Sequence, residues 1–188
     1  MTNADLVIRL SALADYKSKA ISGSTTTLVT SLLSDFENAY ICFLSGTNKG
    51  LDRIVTASDN GTLTFAALPA TVDATTEFAI CEVGFLSKIE SARLMVDEKF
   101  KNIGLDINLF VNSVQLDELY TYKTLEIVCR DRMQMGSEND FYYSNALYYQ
   151  DLFDKTFTSL KADYDVNDSG DLDDDEKLLN KTQAWFSR

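Results

Sequence analysis

Residues 22–84 carry the short alternation of hydrophobic and polar positions that is typical of β-strands. Turn residues separate the strand-like runs: Gly46 and Gly50 allow a positive φ, and Asn60-Gly61 is a strong signal for a tight hairpin. We therefore predict about five strands in a small antiparallel sheet or barrel. The predicted strands are 25–29, 39–44, 53–56, 62–65 and 77–83.

Helical spacing of apolar residues characterises the start of the chain and most of its second half. Leu6, Leu10 and Leu13 predict a helix over 3–20 that Asn3 caps. Further helices are predicted over 86–104, 113–135 and 140–164. Gly104 ends the first of these, and the short loop after residue 135 makes the other two antiparallel neighbours.

The last predicted helix has an aromatic stripe that we expect to be buried. The stripe comprises Tyr142, Ala146, Tyr149, Phe153, Phe157, Leu160 and Tyr164, which are three or four residues apart. Phe141, Tyr143 and Tyr148 lie off this stripe. Because tyrosine is enriched at protein interfaces, we interpret these three as candidate contacts between subunits.

Together these patterns predict an α+β protein in which a small antiparallel β-module follows an N-terminal helix and precedes a helical bundle. We expect an EF-hand-like calcium loop after the bundle. The predicted parts are 1–21, a helix that packs with the bundle; 22–84, the β-module; 85–164, the helical bundle; and 165–188, the calcium-type loop with a C-terminal segment.

Residues 165–176 match the twelve-residue calcium loop of the EF-hand. Gly170 stands at the sharp turn, Leu172 at the apolar anchor, and helices are predicted on both sides. Calcium binds six to eight oxygen atoms. The predicted ligands are Asp165, Asn167, Ser169, Asp171 through its carbonyl, Asp173 and Glu176. The alternative is that this acidic run is only a solvated surface.

Composition excludes several classes of function. The net charge of −12 argues against tight binding to nucleic acid, and no apolar run reaches the ~20 residues of a membrane span. Histidine is absent, and no phosphate loop, nucleophile elbow or zinc spacing occurs. We therefore expect no enzyme, no catalytic residue and no organic cofactor. We interpret Cys42, Cys81 and Cys129 as buried thiols.

The order of motifs in the β-module resembles a known family. Ser-Gly-Ser-Thr-Thr-Thr-Leu-Val (22–29) precedes Ser-Gly-Thr-Asn-Lys-Gly-Leu-Asp-Arg-Ile-Val (45–55), Gly-Thr-Leu-Thr-Phe (61–65), Pro69 and Thr-Glu-Phe-Ala-Ile (76–80). This order is similar to that in head–tail connector (adaptor, neck) proteins of tailed bacteriophages. The resemblance covers about residues 22 to 176.

The resemblance implies a structural virion protein in the phage neck, assembled in the host cytoplasm. It implies a homo-oligomeric ring, twelvefold in that family, which binds the portal protein and other neck or tail proteins while DNA passes through an acidic bore. Trp185 and Phe186 are candidate partner-binding residues, although they can also pack on their own bundle. Two alternatives stay open: a calcium-dependent binding module outside the particle, and a head-closure or tail-terminator protein.

Overall fold

The computed structural model describes residues 1–111, 114–133, 141–165 and 179–180. It is a mixed α+β structure with a curled antiparallel sheet of seven strands and, among these residues, four α-helices. The chain divides into unit 1, Met1–Leu86, and unit 2, Ser87–Arg188. Helix α1, Asn3–Arg9, belongs to unit 1 together with the sheet.

Unit 1 contains the seven-stranded sheet, in which every pair of neighbouring strands is antiparallel. The spatial order is β1-β7-β4-β5-β6-β3-β2. The hairpin between β5 and β6 turns at Asn60 and Gly61, both with positive φ, as the sequence predicted. The strands are β1 Tyr16–Lys19, β2 Ser22–Gly23, β3 Thr27–Val29, β4 Tyr40–Phe43, β5 Asp52–Asp59, β6 Thr62–Phe65 and β7 Glu77–Cys81.

One stretch of chain forms both edges of this sheet. Strand β1 pairs with β7, and β2 pairs with β3. Between them, the Ala20 amide donates to the Thr76 carbonyl at 2.9 Å and the Ile21 amide to the Val29 carbonyl at 2.7 Å. The sheet therefore curls until its two edges are consecutive parts of residues 16–23, which leaves no long edge for another strand.

The predicted N-terminal helix over 3–20 is too long. Helix α1 ends at Arg9, because Leu10 adopts an extended conformation, and residues 16–19 pair with β7 instead. The cap is Thr2 rather than Asn3: the Thr2 hydroxyl accepts from the Asp5 amide, and the Asp5 carboxylate accepts from the Thr2 amide. Leu6 and Leu13 are buried as expected, but strand pairing overrides the helical spacing beyond them.

Strands β4 and β7 are buried on both faces, which explains their continuous apolar runs. Ile41, Phe43, Phe78 and Ile80 belong to the core of the curled sheet. Cys42 and Cys81 lie on the other face and are fully buried, and α1 packs on β4.

Unit 2 is built around three helices: α2, Leu86–Asn102; α3, Val114–Arg132; and α4, Phe141–Thr158. Helices α3 and α4 pack together. The unit also has a small antiparallel sheet of order β10-β9-β8. Its strands are β8 Phe110–Val111, β9 Lys161–Tyr164 and β10 Leu179–Asn180. The buried core consists of Val96, Phe100, Leu119, Phe153, Phe157 and Leu160.

The flanks of the predicted calcium loop are strands rather than helices. Helix α4 ends at Thr158, and residues 161–164 pair with β8 on one side and with β10 on the other. Leu179 and Asn180, which we placed in an exiting helix, form β10. These strands pair with segments that are distant in the sequence. Such pairing leaves no local pattern of apolar and polar residues, so the sequence did not predict it. The loop residues 166–178 lie outside the described part of the chain.

Candidate functional site

Helix α4 is held in a fixed orientation by its buried side. Ala146, Tyr149, Phe153 and Phe157 are buried, as their spacing predicted. The ring of Phe157 lies 5.1 Å from that of Phe100 on α2, and the ring of Tyr149 stacks 6.4 Å from that of Tyr122 on α3. These contacts determine which residues of α4 point towards solvent.

The solvent side of α4 begins with four large apolar or aromatic side chains. Phe141 is 52% exposed, Tyr143 36%, Leu147 46% and Tyr148 56%. They occupy the first eight residues of the helix, with Ser144 among them. We call Phe141, Tyr143, Leu147 and Tyr148 the α4 aromatic face.

The second half of the same side of α4 is polar. Its exposed residues are Asp151, Asp154, Lys155 and Thr158. The Lys155 ammonium donates to the Asp151 carboxylate at 2.6 Å, and the Lys99 ammonium of α2 to the Asp154 carboxylate at 3.1 Å. Exposed ion pairs of this kind contribute little to stability, but they keep this half of the helix hydrated. On α4, the exposed large apolar side chains are thus confined to the α4 aromatic face.

The structure places the three sequence-predicted contact residues, Phe141, Tyr143 and Tyr148, on this exposed face. Leu147 was missed, although it follows Tyr143 by four residues and therefore lies on the same side of the helix. Leu147 does not belong to the buried stripe, and this position off the stripe is the signal that could have identified it. It was overlooked because a leucine in a helix is usually a core residue.

A groove of about 490 Å³ lies beside the polar half of α4. The Lys99 ammonium lies 4.4 Å from the ring centres of both Phe153 and Phe157. The buried Glu126 carboxylate accepts from Lys123 at 2.9 Å and from Arg130 at 2.8 Å. Because these charged groups already neutralise one another, we interpret the groove as part of the packing between helices α2, α3 and α4.

Tyr120 and Cys42 have pKa values raised by their surroundings, and both groups are structural. Burial and a 2.8 Å hydrogen bond to Asp97 raise the pKa of Tyr120, which therefore stays protonated and links α3 to α2. The Cys81 thiol and burial raise the pKa of Cys42 far above its usual range. A thiol held protonated in this way is a poor nucleophile.

Of the predicted calcium ligands, only Asp165 is described. Its side chain is buried at 4% exposure, and its amide donates to the Leu109 carbonyl at 2.9 Å, which extends the pairing of β9 with β8. No group of three or more acidic or thiol side chains within the described residues is arranged to hold a metal ion. The other site residues lie outside that part of the chain: Asn167, Ser169, Asp171, Asp173, Glu176, Trp185 and Phe186.

None of the helices in the described residues is long and apolar enough to cross a membrane. Comparisons of the chain with protein-family models, with curated proteins and with solved structures find no match.

Proposed function

We propose that this protein is a structural subunit of a tailed bacteriophage that assembles into a ring and connects the portal to the neck or tail. The observation that carries the proposal is the α4 aromatic face. Four exposed large side chains within eight residues form a patch of the kind that proteins use to bind one another. The order of motifs in residues 22–80 supports the choice of a neck protein over other assemblies.

The Gly-rich turn of the β-module supports a structural role rather than a ligand-binding one. The buried Asn48 amide group donates to the Ala70 carbonyl at 2.9 Å and accepts from the Ala70 amide at 3.2 Å. The Ser45 hydroxyl donates to the Thr75 carbonyl and accepts from the Glu77 amide. Because the turn is bonded to the loop before β7, its polar groups are used within the sheet.

The charge of the chain also suits a ring through which DNA moves. A net charge of −12 disfavours binding to the phosphate backbone, so DNA slides through a ring of such subunits without being held. The same charge argues against a neck protein that binds the DNA tightly.

Electron microscopy of the purified full chain, alone and mixed with the portal protein of the same phage, tests the proposal. We expect closed rings seen end-on, either free or seated on the portal. Single copies at every protein concentration, together with an unoccupied portal in the mixture, would contradict it.

A calcium-dependent binding module is the second candidate, and the pairing of β9 with β10 favours it. Ala162 pairs with Leu179 and Lys161 with Asn180. Along the sequence, Asp165 lies three residues after Ala162, and Glu176 three residues before Leu179. The described pairing thus holds the two segments that flank the predicted loop side by side, which suits a loop whose first and twelfth residues bind one ion.

Calorimetric titration of the full chain with CaCl₂ tests this second candidate. A single loop of this kind is expected to bind with a Kd of about 10⁻⁴ to 10⁻³ M. Glu176→Gln should abolish the binding heat, whereas Glu118→Gln, on α3, should leave it unchanged. Equal binding by the wild type and Glu176→Gln would show that the ion is not held by this loop.

A further inference from the structure

The tip of the hairpin between β5 and β6 carries the only Asn-Gly pair of the chain, Asn60-Gly61. We propose that Asn60 is a site of spontaneous deamidation, a covalent modification in which water replaces the side-chain amide group. The proposal goes beyond the proposed function and does not depend on it, because it concerns only the chemistry and the geometry of this turn.

Deamidation at an Asn-Gly pair begins when the backbone nitrogen of Gly61 attacks the side-chain carbonyl carbon of Asn60. A C–N bond forms, the proton of the Gly61 amide passes through solvent to the leaving amide group, and that group departs as ammonia. Water then adds to one of the two carbonyls of the resulting succinimide ring and opens it. The product is aspartate or, where the backbone now runs through the former side chain, isoaspartate. Glycine favours the attack because it has no side chain that shields its nitrogen.

The exposed turn allows this reaction. Asn60 is exposed, so ammonia can leave and water can reach its side-chain carbonyl. Gly61 is buried beneath residues 30–32, but among the described residues its own amide donates no hydrogen bond. The bond from the Thr30 amide to the Gly61 carbonyl, at 2.7 Å, must open before the Asn60-Gly61 bond rotates into the attacking conformation. Local openings of this kind at loops need little free energy.

Asn38 provides a matched comparison within the same unit. It is also exposed, and its φ of 69° is positive like the φ of 46° at Asn60. The residue that follows it, Ala39, is buried, and the Ala39 amide donates to the Phe36 carbonyl at 3.0 Å. Attack by this nitrogen would break that hydrogen bond, and the alanine methyl group hinders it. We therefore expect Asn60 to lose its amide group while Asn38 keeps its own.

Both products change the hairpin tip. The Asn60 side chain donates to the Asp59 carboxylate at 2.8 Å, and either product replaces this donor with a second carboxylate beside Asp59. Isoaspartate also adds one backbone atom to a turn whose length sets the hairpin geometry. The space around Gly61 is filled, since a Cβ built there would lie 2.4 Å from the Thr30 carbonyl oxygen. Isoaspartate should therefore displace Gly61 and break its hydrogen bond with Thr30.

Mass spectrometry of the purified full chain during prolonged incubation at neutral pH tests the site. A sample unfolded in guanidinium chloride is incubated in parallel until its Asn60 peptide has converted. In the native chain we expect the Asn60 peptide to show the mass gain of an amide that becomes a carboxyl group, and the Asn38 peptide to show none. A native Asn60 peptide that keeps its mass after the unfolded sample has converted would overturn the proposal. Equal conversion at Asn38 in the native chain would also overturn it, because the turn geometry would then select nothing.

Hydrogen exchange followed by NMR tests the structural consequence in the same aged protein. The Thr30 backbone amide should lose its protection in the isoaspartate fraction and keep it in Asn60→Asp, which adds the charge without the extra backbone atom. The Asn38 backbone amide, which donates to the Val55 carbonyl at 2.9 Å, is the control that should stay protected in both. Unchanged protection of Thr30 in the isoaspartate fraction would overturn the displacement of Gly61.

Discussion

Units 1 and 2 differ in how their exposed apolar residues are distributed. In unit 1 the exposed large apolar residues come from different elements or loops: Ile8, Tyr16, Ile21, Leu33, Ile54, Val83 and Leu86. In unit 2, α4 alone exposes four within eight residues. Isolated exposed apolar residues are normal on any surface, whereas a contiguous set indicates a binding surface. This difference supports our proposal that the sheet is a scaffold and that α4 binds a partner.

The polar groups of unit 1 support this distinction. Asn3, Asn48 and Thr76 are buried and hydrogen-bonded within the unit. In the described residues, no buried side-chain nitrogen or oxygen lacks a hydrogen-bond partner. The buried polar groups of unit 1 are thus hydrogen-bonded within the unit, whereas the α4 aromatic face of unit 2 exposes apolar surface to water.

The largest expected effect is on the free energy of unfolding. It comes from truncating a large apolar side chain to alanine in unit 1, compared with the same kind of truncation in unit 2. Phe43 is fully buried in the core of the sheet, with its ring 5.7 Å from that of Phe65. Phe43→Ala should lower the free energy of unfolding by about 3–5 kcal/mol, because the lost contacts leave a cavity. Leu147→Ala, on the exposed face, should change it by less than about 0.5 kcal/mol. Urea unfolding of both variants at a concentration where the chain is not assembled makes the measurement.

The next effect concerns the hydrogen bonds that hold α1 to the sheet. The Asn3 side chain donates to the Asp52 carboxylate and accepts from the Phe85 amide at 2.7 Å. Asn3→Ala leaves the Asp52 carboxylate and the Phe85 amide without their hydrogen bonds to this side chain. It should lower the free energy of unfolding in urea by about 2–3 kcal/mol. The matched control is Asn108→Ala, whose exposed side chain donates to Asp106, with an expected cost below about 0.5 kcal/mol. Similar losses for the two variants would show that unit 1 does not depend on this connection.

The smallest effect is a pH dependence in the loop before β7. Hydrogen bonds from the Thr75 hydroxyl, at 2.6 Å, and the Thr75 amide, at 2.8 Å, lower the pKa of Asp73. Because this pKa is lower in the folded state, the contribution to stability is present above the usual Asp pKa and is lost as the pH falls through the folded value. Thr75→Val should raise the pKa of Asp73, measured by NMR titration of its carboxyl carbon. An unchanged midpoint would mean that the hydroxyl does not control this carboxylate.

The sequence predicted most of the local structure because most of it depends on short-range patterns. The alternation in residues 62–65, the Asn60-Gly61 turn and the buried stripe from Ala146 to Leu160 are confirmed. Gly104, with a φ of 78°, follows α2 closely, as its position predicted.

The errors share one physical cause, which is pairing between distant segments. Residues 16–19 and 161–164 both continue a helical spacing, yet both form strands because β7 and β8 supply backbone partners. Closure of the sheet through residues 16–23 depends on contacts with β7 and β3 that no local window contains. The α4 aromatic face was only partly predicted, because an exposed leucine looks like a core leucine until the packing is known.

The central claim is that the α4 aromatic face joins copies of this chain, and sedimentation velocity tests it most directly. The wild type, the double variant Leu147→Ser/Tyr148→Ser and the control Asp151→Asn/Lys155→Gln are compared at equal concentration. We predict that the wild type and the control sediment as a ring and that the double variant sediments as single copies with an unchanged unfolding midpoint. A double variant that assembles like the wild type would contradict the claim.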